Sequence, residues 1–178
     1  MTDTESARRA ATGDTPLAAL AGKYMTFKLA SECYGLRILK VRELIGLMEI
    51  TRVPKSRAYM RGVINLRGKV IPVLDLRMKF DMGATEYTDQ TVIIVVQHAS
   101  PLGELTIGVL VDEVLEVIDI DATRIEPAPT FGSDLLANDF ILGVGKTEKR
   151  VLFLLDIDQV LSAQDERVLA AAAGATSG

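Results

Sequence analysis

The chain reads as an all-β protein: two small β-barrels packed together, with a short central helix and a C-terminal helix. Three observations carry that reading. Eight or more apolar, β-branched runs of strand length succeed one another between residues 24 and 155. Turn signals recur about every 8–12 residues, the spacing of barrels and sandwiches. No helix of the length that a doubly wound α/β fold places between its strands interrupts them.

The elements follow in order. Residues 1–20, rich in Thr, Ala, Asp and Arg without periodicity, are expected to form a flexible arm. Residues 24–29 alternate apolar and polar, as a half-buried strand does, and residues 34–39 return as a hairpin after a turn at Glu32. A bend near Lys40 leads to an extended piece over 41–47. Pro54 is expected to open a short central helix reaching Met60, because a first helical turn tolerates proline. A tight strand pair follows over 62–77, with Pro72 marking an edge or bulge since it cannot donate to a ladder.

Residues 81–90 read as a loop between lobes, then 91–97, 105–111 and 114–118 as strands parted by turns at Ser100-Pro101 and Asp112-Glu113. A loop over 122–133 precedes a closing hairpin of 141–144 and 151–155. From Asp156 the period turns helical: Ile157, Val160 and Leu161 share a face, and Asp156 or Asp158 can cap it. The expected division is an arm over 1–20, a domain over 21–162 and a weakly helical or disordered tail over 163–178. Within the domain, lobe one takes about 21–85 plus C-terminal elements, and lobe two about 86–150.

Composition narrows the functional class. Of 178 residues, 48% are apolar and 25% charged, ordinary for a soluble domain. No apolar run approaches the roughly 20 residues that span a bilayer, and no secretory leader is visible. With Cys33 as the single cysteine, no internal disulfide can form, so a reducing compartment, the cytoplasm, is expected. The net charge of −4 is unevenly spread, +8 over residues 1–80 against −11 over 81–142. Residues 50–74 hold six bases and no acid. Separate lobes would then carry opposite charge and favour oriented, head-to-tail contacts with other proteins.

The most informative segment is Gly62-Val63-Ile64-Asn65-Leu66-Arg67-Gly68-Lys69-Val70-Ile71-Pro72-Val73-Leu74-Asp75-Leu76-Arg77. Two apolar runs flank Asn65-Leu66-Arg67-Gly68, giving strand, turn, strand. Gly68 permits a positive φ, and the Asn65 side chain can bond its own backbone there. An arginine is thereby held out on a rigid corner, a geometry for gripping a partner.

No catalytic set stands beside it. His98, the sole histidine, is expected at the surface or in a loop without a partner, and Cys33 lacks the second thiol of a metal site or a local base. Asp112 and Glu113 are neighbours on opposite strand faces, which excludes a shared acid–base site. Dinucleotide, P-loop and zinc-protease motifs are absent, and Gly143-Val144-Gly145 alone signals a turn. The basic stretch has one aromatic, Tyr59, too few for stacking on single strands, so nucleic acid is not expected. Neither cofactor nor metal is called for.

Several blocks, in order and at their spacings, resemble the CheW family of chemotaxis coupling proteins: residues 34–43, from Tyr34-Gly35-Leu36-Arg37 to Val41-Arg42-Glu43; the segment 62–77; Gly108-Val109-Leu110-Val111-Asp112-Glu113-Val114; and the pair Gly143-Val144-Gly145 with 152–156. The resemblance runs from about Tyr24 to Ser162. It implies two packed five-stranded SH3-like β-barrels and a non-enzymatic adaptor. Its implied partners are the cytoplasmic tip of methyl-accepting chemoreceptors, the regulatory domain of the histidine kinase CheA, and copies of itself in ring-like arrays. It implies a cytoplasmic protein recruited to receptor arrays, without membrane insertion. Carried over by position, Asn65 and Arg67 fall in the partner-contacting motif. Val41 and Glu43 fall in the receptor-contacting strand, Val114 and Val117 complete a groove, and Gly62 and Gly68 are turn devices. Related scaffolds of surface motility or development share these blocks.

Overall fold

The computed structural model describes residues 17–83, 86–100, 103–127 and 140–160. The arm through residue 16, the loop over 128–133, Leu161 and the tail lie outside them. The chain enters through a helical turn, α1 (Leu17–Leu20), whose Leu20 is buried, so the expected arm is already ordered here. Eleven strands follow among the described residues. β1 (Gly22–Leu29) and β2 (Glu32–Arg37) make the expected hairpin, and a 3-10 turn (Ile38–Lys40) supplies the bend before β3 (Val41–Gly46). β4 (Met60–Leu66) and β5 (Lys69–Asp75) form the tight pair, followed by the four-residue α2 (Leu76–Lys79). β6 (Val92–Ser100) and β7 (Gly103–Val111) form an antiparallel hairpin, and β8 (Glu113–Ile120) crosses to pair with β1. A 3-10 turn (Ala122–Arg124) and β9 (Ile125–Pro127) occupy the start of the expected loop. β10 (Ile141–Lys146), β11 (Val151–Leu155) and α3 (Ile157–Val160) complete the described chain.

The strands sort into two sheets, β8-β1-β2-β11-β10-β9 and β3-β6-β7-β5-β4. This corrects the expected division of lobes near residue 85. The five-stranded sheet is built from the middle of the chain, and the other takes both ends. Two pairings make the difference: β5 lies beside β7, Val73 opposite Gly108, and β8 beside β1, Ile118 opposite Tyr24; β11 lies beside β2, Leu152 opposite Cys33. The basic and acidic stretches therefore do not fall one to each sheet. The helix expected from Pro54 is also absent. Thr51 instead exchanges backbone bonds with Val63, both at 2.8 Å, along the outer edge of β4. The short central helix comes after β5.

Side-chain alternation is divided between two cores rather than between core and water. The six-stranded sheet buries Tyr24, Ile120, Leu152 and Leu154 in one cluster of its own, and the five-stranded sheet buries Ile64, Val73, Ile93 and Val95 in another. The opposite faces of both sheets meet in a third, larger cluster, where Phe27 and Leu36 pack with Val96, Ile107 and Val109. Hence Tyr24 to Phe27 are buried without a break, where their alternation predicts a half-buried strand. Pro72 stands opposite Val63 just before the ladder to β7 begins at Val73, where its missing N–H breaks no pairing to β7.

Polar groups lock the seam. Asp112 Oδ2 accepts hydrogen bonds from Arg77 Nη1 and from Ala30 N–H, each at 2.7 Å. His98 is fully buried, with Nδ1 3.2 Å from the Ile157 carbonyl oxygen and 3.7 Å from Asp158 Oδ1. It is neither exposed nor partnerless, which corrects the sequence reading. Asp158 also accepts from Ala99 N–H and pairs with Lys40 Nζ, both at 2.8 Å, and Asp156 caps α3 by accepting from Asp158 N–H at 3.0 Å.

Candidate interaction surface

The β4–β5 connection has two central residues, Arg67 and Gly68, with φ of 51° and 86°. Positive φ at both positions is the type I′ geometry that matches the twist of a hairpin. Asn65 Oδ1 accepts the Gly68 N–H at 2.9 Å and fixes the turn, as its position in the sequence suggests. Gly68 serves the positive φ. Gly62 serves a different need: at φ 142°, a Cβ there would lie 2.1 Å from the Thr51 carbonyl oxygen, so only glycine admits the bridge to β4.

Arginine is an expensive choice for the first turn position. A left-handed conformation costs a non-glycine residue about 1–2 kcal/mol, less for asparagine or aspartate. The Arg67 side chain is 71% exposed and its Nη2 donates to Glu43 Oε1 on β3. β3 and β4 are the two outer strands of their sheet, so the ion pair ties its opposite margins together. An exposed pair of this kind contributes only about 0–1 kcal/mol. Arg67 is thus displayed rather than buried.

The remaining expected site residues fall on two sheets. Val41, at the start of β3, and Val114, on β8, are half-buried and both pack against the shared core. Val117 stands 47% exposed on β8, the outer strand of the other sheet. Val41 and Val114 are therefore joined through the core, while Glu43 and Arg67 form a separate, polar contact.

Sequence reasoning missed three features. Leu39 is 92% exposed on the 3-10 turn that carries the chain from one sheet to the other. Leu44 and Leu47 are exposed beyond it, at 42% and 41%. Periodicity flags apolar residues as buried, so nothing local distinguished these. Asp112 and the His98–Asp158–Lys40 group were missed because their partners are remote in sequence. Among the described residues no cluster of His, Cys, Asp and Glu could hold a metal ion, and no helix is long and apolar enough to cross a membrane.

The architecture is mostly β, two sheets around a shared core, with an arginine displayed on a rigid hairpin. Comparison with known proteins gives its family. The sequence matches the CheW-like domain over residues 23–165, and the chain belongs to that family. It is 37% identical over 143 residues to chemotaxis protein CheW of Klebsiella aerogenes, covering 80% of this chain and 83% of the relative. To chemotaxis protein CheW of Bacillus subtilis it is 32% identical over 145 residues, covering 82% and 90%. The crystal structure of the scaffolding protein TtCheW from Thermoanaerobacter tengcongensis superposes with a TM-score of 0.71 at 34% identity, covering 82% of this chain and 95% of that one.

Proposed function

We propose that the chain is a non-enzymatic adaptor of chemotaxis signalling, coupling the cytoplasmic tips of transmembrane chemoreceptors to the regulatory domain of the histidine kinase CheA. It works in the cytoplasm and is recruited to receptor arrays, with copies of itself as further neighbours. Membership of the CheW-like family supports this reading, as does similarity to a structure described as a scaffolding protein. The observation that carries the site is Arg67, kept exposed in a backbone conformation that disfavours arginine. Strain of this kind is retained where a side chain is needed for function.

In this reading a receptor helix lays its apolar face between the outer strands β3 and β8, against Val41, Val114 and Val117. Arg67 and Glu43 fix its orientation through charge-assisted bonds at the rim. Co-sedimentation with receptor-containing membranes, with and without the kinase, tests it. Wild type is recruited and raises kinase activity, and Arg67→Glu loses recruitment at unchanged melting temperature. The double variant Glu43→Arg/Arg67→Glu separates the two roles of the pair. Rescue of recruitment by the swap assigns Arg67 to bracing its own sheet and overturns its role as a contact. No recruitment of wild type overturns the adaptor reading itself.

A further inference from the structure

The connection between β3 and β4 holds Arg52, Lys55 and Arg57 against the single carboxylate of Glu49. With Tyr87 it encloses an open cavity of about 440 Å³, within the size range of ligand sites. Met48, Ile50 and Met60 give the cavity an apolar floor, and Arg52, Arg57 and Arg61 line it with guanidinium groups. No carboxylate is among its lining residues. Arg61 Nε donates to the neutral Tyr87 hydroxyl at 2.6 Å, with the guanidinium carbon 5.3 Å from the ring centroid. Asp75 lies close enough for Arg61 to act on its charge, but its Oδ1 is committed to capping α2, accepting from Arg77 N–H at 3.0 Å and Met78 N–H at 3.3 Å. Arg52 is exposed and makes no hydrogen bond or ion pair among the described residues.

An apolar floor beneath cationic forks selects a ligand that is both anionic and apolar. We infer that this cavity is a docking site for an acidic peptide segment carrying an apolar side chain. The apolar side chain rests on Met48, Ile50 and Met60, and flanking carboxylates reach Arg52 and Arg61 in the bidentate geometry that guanidinium favours. A free phosphate would leave the apolar floor wet. A nucleic acid strand would seek an aromatic face, and the Tyr87 face is already taken by Arg61. The chain's net charge of −4 further opposes a phosphate backbone. This surface is distinct from the hairpin tip at Arg67, and the inference does not rest on the adaptor reading.

Fluorescence anisotropy of the full chain with a fluorescein-labelled peptide of alternating glutamate and leucine tests it. Saturable binding that weakens as salt is added is expected. Loss of one charged fork in Arg52→Glu lowers affinity about tenfold or more, and Arg52→Lys lowers it less. Arg52 is exposed and unpaired, so both variants keep the wild-type melting temperature. A peptide with glutamine in place of glutamate does not bind. Four results would overturn the inference: no binding of the glutamate peptide, unchanged binding in Arg52→Glu, equal binding of the glutamine peptide, or displacement by inorganic phosphate or oligothymidylate at lower concentration than by unlabelled peptide.

Discussion

Gly62 and Thr51 approach so closely that a Cβ on the glycine would stand 2.1 Å from the Thr51 carbonyl oxygen. The contact exists because Thr51 and Val63 exchange two backbone hydrogen bonds along the edge of β4. Gly62→Ala both strains a φ of 142° and drives its Cβ into that exchange. A loss of about 3 kcal/mol or more is expected from these combined penalties, read by urea denaturation. Gly68→Ala, where nothing lies within 4 Å of an added Cβ, loses less, since only its backbone is disfavoured. Equal losses at the two glycines would argue against the bridge as the sensitive point.

Asp112 joins three segments: it accepts from Arg77 and Ala30, and its own N–H donates to the Lys28 carbonyl at 3.1 Å. Its partner's side chain is only 16% exposed. Asp112→Ala leaves Arg77 and the Ala30 N–H without their shared acceptor, and a loss of about 2–3 kcal/mol follows. Glu113→Ala, its neighbour at the start of β8, changes stability by less than about 0.5 kcal/mol. Thermal melts of the two variants check the contrast.

His98 ties β6 to the first turn of α3. Its removal in His98→Ala leaves a buried space beside Ile157 and strips the Ile157 carbonyl of a partner. Destabilisation of about 2–4 kcal/mol is expected. Hydrogen exchange should rise first at Asp158, Gln159 and Val160, whose N–H groups bond to Asp156. Exchange that rises uniformly across both sheets would show that this histidine does not hold α3 in particular.

Burial raises the Asp156 carboxyl above its ordinary value of 3.8, opposed by the hydrogen bond from Asp158 N–H and reinforced by the Asp158 charge. A raised folded-state value means that folding favours the protonated acid. The stability this group contributes is fully present below 3.8 and is lost as pH rises through the folded value. Asparagine caps a helix as well as aspartate does and carries no charge to desolvate. The melting temperature of Asp156→Asn relative to wild type therefore increases as pH is raised from acid toward neutrality. A difference that stays flat with pH, or shrinks, would falsify the assignment.

Local features were legible in the sequence and remote ones were not. The hairpin at Arg67 was readable because its turn, its cap from Asn65 and its flanking strands all lie within a dozen residues. The cap of α3 was readable as Asp156 or Asp158 for the same reason, and the structure selects Asp156. Pro54 misled because proline permits a helix start without supplying one; the residues after it have no apolar period to bury, and Thr51 had a strand edge to pair with. The division of lobes failed because the pairings of β5 with β7, Val73 opposite Gly108, and of β8 with β1 leave no local trace. His98 looked solitary in a list of residues, yet its partner Ile157 arrives from the far end of the chain.

That sharing of one sheet by both ends of the chain sets an order of events on the ribosome. The five-stranded sheet is complete in sequence once Val111 has been made, and its strands are contiguous. The hairpin of β1 and β2 emerges earlier but has no lasting neighbour until β8 and then β11 appear. At about 5–20 residues per second, that wait lasts several seconds or more. Throughout it, Phe27 and Leu36 have no sheet of their own to complete, and the nascent middle of the chain offers them cover. The first strands made are among the last to be secured.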